Sequence, residues 1–146
     1  MAIWSYLVFA LLAGAMLPIQ FGINAQLATW VGGSIRAAFV SFVVGAAALL
    51  VAVLFAQRGI PDRAGDAPWW VWIGGVLGAF YVLGSIVTAP KLGAATLVAL
   101  ILAGQAIASL LVDHYGWVGF EENPVTPLRL LGVALLAGGV ALVRLS

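Results

Sequence analysis

Apolar side chains run along this chain in five long blocks, and each block closes where a charge appears. No side chain from Met1 to Ile35 is charged, and Arg36 is the first that is. Ala37 to Gln57 form a second uncharged run closed by Arg58, and Ala67 to Pro90 form a third. Leu92 to Val112 lie between Lys91 and Asp113, and Leu130 to Val143 between Arg129 and Arg144. A helix rises about 1.5 Å per residue, so about 20 apolar residues cross a hydrocarbon core about 30 Å thick. Four runs reach that length, and Arg129 and Arg144 can lengthen the fifth by reaching to the headgroups. The runs lack the period-two alternation of a membrane barrel strand. The pattern therefore predicts an all-α polytopic membrane protein. Residues 1–146 form one domain with five transmembrane helices, near 3–30, 35–57, 69–89, 92–113 and 127–145.

The breaks carry turn chemistry. Gly32-Gly33-Ser34 separates the first two spans, and Pro90-Lys91-Leu92-Gly93 the third and fourth. The longer connections, Arg58 to Asp66 and Gly116 to Pro127, are rich in Gly, Pro and charge and read as surface loops. The tryptophans (Trp4, Trp30, Trp69, Trp70, Trp72 and Trp117) stand near proposed boundaries, where an amphipathic indole is most comfortable. No basic segment precedes Ile3, and the first uncharged run outlasts a signal peptide's apolar core, so it is read as a retained helix.

Composition narrows the functional classes. Hydrophobic residues make up 64% of the chain and charged ones 8%, with a mean hydropathy of +1.18, too little charge to cover a globule in water. A net charge of +1 offers no surface for nucleic acid. With no cysteine and one histidine, no thiolate or multi-histidine metal site is expected. There is no phosphate-cradling glycine loop followed by Lys and Ser/Thr, and no cluster of His, Asp or Glu of the kind a membrane enzyme uses. The chain is thus expected to need no cofactor and not to be an enzyme.

Five spans put the two chain ends on opposite sides of the bilayer. One side then carries Arg58, Arg63 and Arg129, and the other Arg36, Lys91 and Arg144. The acidic residues Asp62, Asp66, Asp113, Glu121 and Glu122 all fall on the first side, but acids contribute little to orientation. With no Lys/Arg bias, two arrangements stay open. A weak signal fixes one topology, or the chain inserts both ways and pairs with a flipped copy of itself. Inverted repeats with a solute site at their interface are common in transporters.

The run Leu17-Pro18-Ile19-Gln20-Phe21-Gly22-Ile23-Asn24-Ala25-Gln26-Leu27, followed by Ser41-Phe42-Val43-Val44-Gly45, resembles the opening half of the YdcZ-like family of the drug/metabolite transporter superfamily. Pro90-Lys91-Leu92-Gly93-Ala94-Ala95, Ala103-Gly104-Gln105 and Asp113-His114-Tyr115-Gly116 resemble its second half. The resemblance implies a five-helix unit, half of a ten-helix inverted-repeat transporter that dimerisation completes. It also implies a multi-pass protein of the bacterial inner membrane, labelled an exporter and acting on an unassigned solute.

Polar groups inside spans are costly in hydrocarbon and are therefore site candidates. Gln20 and Asn24 stand one turn apart on one face of the first span, among Gly14, Pro18 and Gly22, where a helix break is expected. They either bind solute or hold helices together. Tyr81 is the one tyrosine in mid-span; Ser85 and Thr88 follow it at one-turn spacing but can bond back to their own helix. Gln105 and Ser109 share a face of the fourth span with Asp113. Asp113 and His114 are either a titrating pair or a boundary acid and a helix-capping imidazole. Ser41, Gly45, Gly74 and Gly78 read as helix-packing positions, and the glycines of the fifth span as packing or dimer contacts.

Depth links two of these residues. At about 1.5 Å per residue, Gln20 lies roughly 24 Å from the first side and Gln105 roughly 10 Å. In a flipped partner Gln105 would stand about 20 Å from that same surface, near the depth of Gln20. The resulting expectation is an antiparallel, dual-topology homodimer in the lipid bilayer that passes a small organic solute by alternating access. Gln20, Asn24, Tyr81 and Gln105 would line the path, with Ser85, Ser109, Asp113 and His114 secondary. A passive channel and a non-transporting assembly protein are the alternatives.

Overall fold

Five helices long and apolar enough to cross a membrane make up nearly all of the described chain. The structure, a computed structural model, describes residues 3–56 and 65–145. Arg58, Asp62 and Arg63, used in the charge balance, lie outside the described residues. The helices are α1 (Ile3–Val31), α2 (Ser34–Phe55), α3 (Gly74–Leu92), α4 (Ala94–Tyr115) and α5 (Pro127–Leu145). A tight 3-10 segment, Trp69–Ile73, leads into α3. The expected spans are all present and differ mainly at their ends. The second stops at Phe55, and the third runs through Pro90 to Leu92, because the fixed φ of proline suits a helix and only one backbone donor is lost.

The chain divides into two compact units, Met1–Lys91 and Leu92–Ser146. In the first, α1 and α2 form a hairpin closed by two glycines. Gly32 takes the left-handed φ of +76°, and the Gly33 N–H donates to Ala28 O at 2.8 Å. This is the bond from the second residue beyond a helix back to its last turn, which needs a residue without Cβ at the corner. Gly33 O then accepts from Ala37 N–H at 3.1 Å to start α2. The Arg36 guanidinium reaches back to Val31 O at 3.3 Å, placing positive charge at the C-terminal end of α1.

Small residues let α3 join this hairpin. Val82 and Ile86 pack on Ala37 and Ala38, with Leu27, Ala28, Val31, Tyr81 and Leu83 around them. In lipid such packing gains by close van der Waals fit, since hydrocarbon tails are as apolar as the side chains they replace. Phe42 of α2 lies over Gly78, where an added methyl would stand 3.5 Å from the ring. Gly74, expected to pack as its partner, meets nothing within 4 Å.

The second unit is the α4–α5 hairpin. Gly116 ends α4 with a left-handed φ of +61°, and a Cβ there would stand 2.8 Å from Glu122 Cγ and 3.3 Å from Phe120 O. A short turn, Trp117–Gly119, and an extended stretch lead to Thr126, whose hydroxyl caps α5 by accepting from Arg129 N–H at 3.3 Å. Pro127 opens the helix where its missing donor costs nothing. An open apolar groove of about 350 Å³ runs between the helices, lined in part by Gly132, Leu135, Gly139 and Val143.

Candidate functional site

The first unit buries two polar side chains of the spans. Asn24 is 4% exposed and Ser85 3%. Ser85 is satisfied within its own helix, donating from Oγ to Val82 O at 2.8 Å. Thr88 does the same to Gly84 O at 2.7 Å. Asn24 Nδ2 and the Tyr81 hydroxyl are different: both are buried and neither has a hydrogen-bond partner among the described residues. A buried polar atom left unpaired costs roughly 1–3 kcal/mol. The two atoms belong to α1 and α3 of the first unit.

Phe21 holds the two helices in register there. It is 1% exposed and meets Tyr81 edge-on, with ring centroids 6.0 Å apart at 63°. Such a pair contributes about 0.5–1.5 kcal/mol beyond its buried area. Phe21 was not singled out from the sequence. Its position between Gln20 and Asn24, on the same helical face as Asn24, is the signal that could have found it.

Gln20, one turn before Asn24, is exposed and lines an open groove of about 280 Å³. Phe42, Leu49 and Val82 form much of the remaining wall. Ser41 and Gly45, expected to mark close packing, border the same groove, and a Cβ at Gly45 would meet nothing within 4 Å. Their small size leaves a gap here rather than drawing two helices together. The helix runs unbroken past Gly14, Pro18 and Gly22. The break expected there does not open the α-helix, although Pro18 deprives Gly14 O of its usual donor.

In the second unit Gln105 and Ser109 are exposed on α4, and Ser109 Oγ donates back to Ala106 O at 3.0 Å. Asp113 and His114 serve the connection to α5. Arg129 bridges to the Asp113 carboxylate and donates to Asn123 O at 2.8 Å, while Asn123 N–H donates to Asp113 O at 2.7 Å. His114 Nδ1 accepts from Val125 N–H at 3.2 Å. The imidazole also meets the Tyr115 ring edge-on at 4.6 Å, and Tyr115 stacks on Trp117 at 5.0 Å. Both residues are thereby engaged in holding the loop. The acid closing one span and the base opening the next were visible in the sequence, but their pairing was not.

The family model described as "Putative inner membrane exporter, YdcZ" matches residues 5–142. The chain belongs to the YdcZ family. "Inner membrane protein YdcZ" of Escherichia coli (strain K12) is 31% identical over 145 residues, covering 94% of this chain and 93% of that protein. No solved structure matches the chain. Membership of the YdcZ family, with five apolar helices of spanning length, makes this a multi-pass inner-membrane protein. The YdcZ description is that of an exporter and points away from an enzyme.

Proposed function

We propose that this chain exports a small organic solute by alternating access, as an antiparallel homodimer of dual topology. The observation that carries the transport reading is the pair of unpartnered buried polar atoms, Asn24 Nδ2 and Tyr81 OH, beside Ser85 and Thr88 hydroxyls that are satisfied within their own helix. Membership of a family described as exporters supports the same direction. Gln20 and Gln105, exposed on their helices, are further polar contacts along the path.

Pairing is supported by how little of itself one chain covers. At most 17% of any span's most apolar stretch is buried, and none of that of α5. Exposed amides on such surfaces would face lipid tails unless another protein surface covers them. The Lys/Arg balance gives insertion no preferred direction, and a flipped copy brings Gln105 to the depth of Gln20.

Orientation tests the proposal directly. A single cysteine replacing Glu121, in this cysteine-free chain, is probed with an impermeant thiol reagent on sealed cells. About half of the molecules labelling from outside is the result expected of equal insertion both ways. Uniform labelling, all or none, excludes the dual-topology homodimer. Disulfide formation between Gln20→Cys in one chain and Gln105→Cys in another then tests the depth match.

A further inference from the structure

We infer that the site between α1 and α3 takes an uncharged solute with a hydrogen-bond acceptor, such as an amide or ketone carbonyl, on a small apolar or aromatic body. The inference rests on the transport reading of this same site and specifies its ligand. Three observations converge on that chemistry.

The first is the kind of polar atom left unpaired. Asn24 Nδ2 is a donor only, and the Tyr81 hydroxyl is a donor that can also accept. Each can be satisfied by an acceptor. Because Asn24 is 4% exposed, water has little direct access to that donor, and a bound acceptor would satisfy it without competing with bulk solvent. The Ser85 and Thr88 hydroxyls are turned into their own helix.

The second is the lack of counter-charge. Within the first unit, the charged residues in the sequence are Arg36 at the start of α2, Arg58, Asp62, Arg63 and Asp66 in the connection between α2 and α3, and Lys91 at the end of α3. None stands within a turn of Asn24 or Tyr81 along its helix. An ion placed there loses its hydration without an opposite charge to offset it, and neutral donors recover only part of that loss. Cations fare worse than anions, since the unpaired atoms offer donors first.

The third is the wall. Phe21 stands edge-on to Tyr81, and their chain neighbours Gln20 and Val82 line an apolar groove with Phe42 and Leu49, although Phe21, Asn24 and Tyr81 do not themselves line it. Its volume of about 280 Å³ falls just below the usual size of ligand pockets, roughly 300–1,000 Å³. A compact body with one polar head fits that combination.

Three ring compounds of nearly equal size separate the classes: benzamide, benzoate and benzylammonium. Their binding to the full chain in lipid nanodiscs is measured by ligand-observed saturation-transfer NMR, for the unaltered protein, Asn24→Leu and Tyr81→Phe. Benzamide is expected to bind, with each substitution weakening it about tenfold, the equivalent of one lost neutral hydrogen bond. Helicity and melting of each variant confirm folding, and Tyr81→Phe removes only one oxygen. Stronger binding of either ion, benzamide binding untouched by both substitutions, or no binding of any of the three to folded protein overturns the inference. Flux in sealed vesicles keeps this apart from the transport reading. Benzamide that binds through Asn24 but does not cross defeats transport alone, whereas an ion that crosses and needs Asn24 defeats the ligand class alone.

Discussion

Arg129, in the first turn of α5, closes an ion pair with Asp113, sixteen residues earlier in the last turn of α4. The same guanidinium also holds Asn123 O, so one side chain ties both helix ends to the loop between them. With both side chains about a quarter exposed, the pair is worth on the order of 1 kcal/mol. Asp113→Asn is expected to raise amide hydrogen exchange across residues 116–126 and to lower the melting temperature slightly. Solute binding in the first unit should not change. Loss of transport with intact loop protection would return Asp113 to a direct role in coupling.

Gly116 makes a sharper case, because its backbone and its space both exclude a side chain. Gly116→Ala places a methyl 2.8 Å from Glu122 Cγ and 3.3 Å from Phe120 O, at a φ that L-residues disfavour by roughly 1–2 kcal/mol. Thermal unfolding in detergent should register a loss of about that size. Gly132→Ala, with nothing near it, should be neutral or slightly stabilising through helix propensity. Equal behaviour of the two variants would contradict the turn geometry.

Tyr81→Phe separates stability from activity. Removing a buried hydroxyl that has no partner should raise stability, by up to about 1–3 kcal/mol, while reducing solute flux. Melting of the detergent-solubilised variant and flux in vesicles check both halves. A drop in stability would mean the hydroxyl is already satisfied by another group.

Ser85→Ala and Thr88→Ala serve as the contrast on the same helix. Their hydroxyls bond to Val82 O and Gly84 O, contacts that replace nothing the backbone needs. Changes within about 0.5 kcal/mol are expected, with flux retained. A large flux defect in Ser85→Ala would add it to the solute path.

Gly78 and Gly74 divide what the sequence treats as one motif. Gly78→Leu should clash with Phe42 and cost about 1–3 kcal/mol, whereas Gly74→Leu meets open space in the single chain. Melting curves of the two monomeric variants in detergent read the difference. A full loss of dimer in Gly74→Leu, with the monomer stable, would place Gly74 against the second copy.

The sequence by itself determined the membrane class, the number of helices and roughly where they break. These follow from one-dimensional quantities: apolar run length against bilayer thickness, and charges that are costly in mid-membrane. It also exposed Gln20, Asn24, Tyr81 and Gln105 as polar exceptions, since in hydrocarbon any such residue stands out. It could not say which exceptions are already satisfied, because a serine bonding to its own helix and an asparagine bonding to nothing look alike on a line. Only the tertiary structure decided that Ser85 closes on Val82 while Asn24 and Tyr81 stay open. It likewise assigned Asp113 to Arg129, and made Gly45 the side of a groove rather than a contact. Satisfaction and fit are relations between helices, and they exist only once packing has chosen which faces meet.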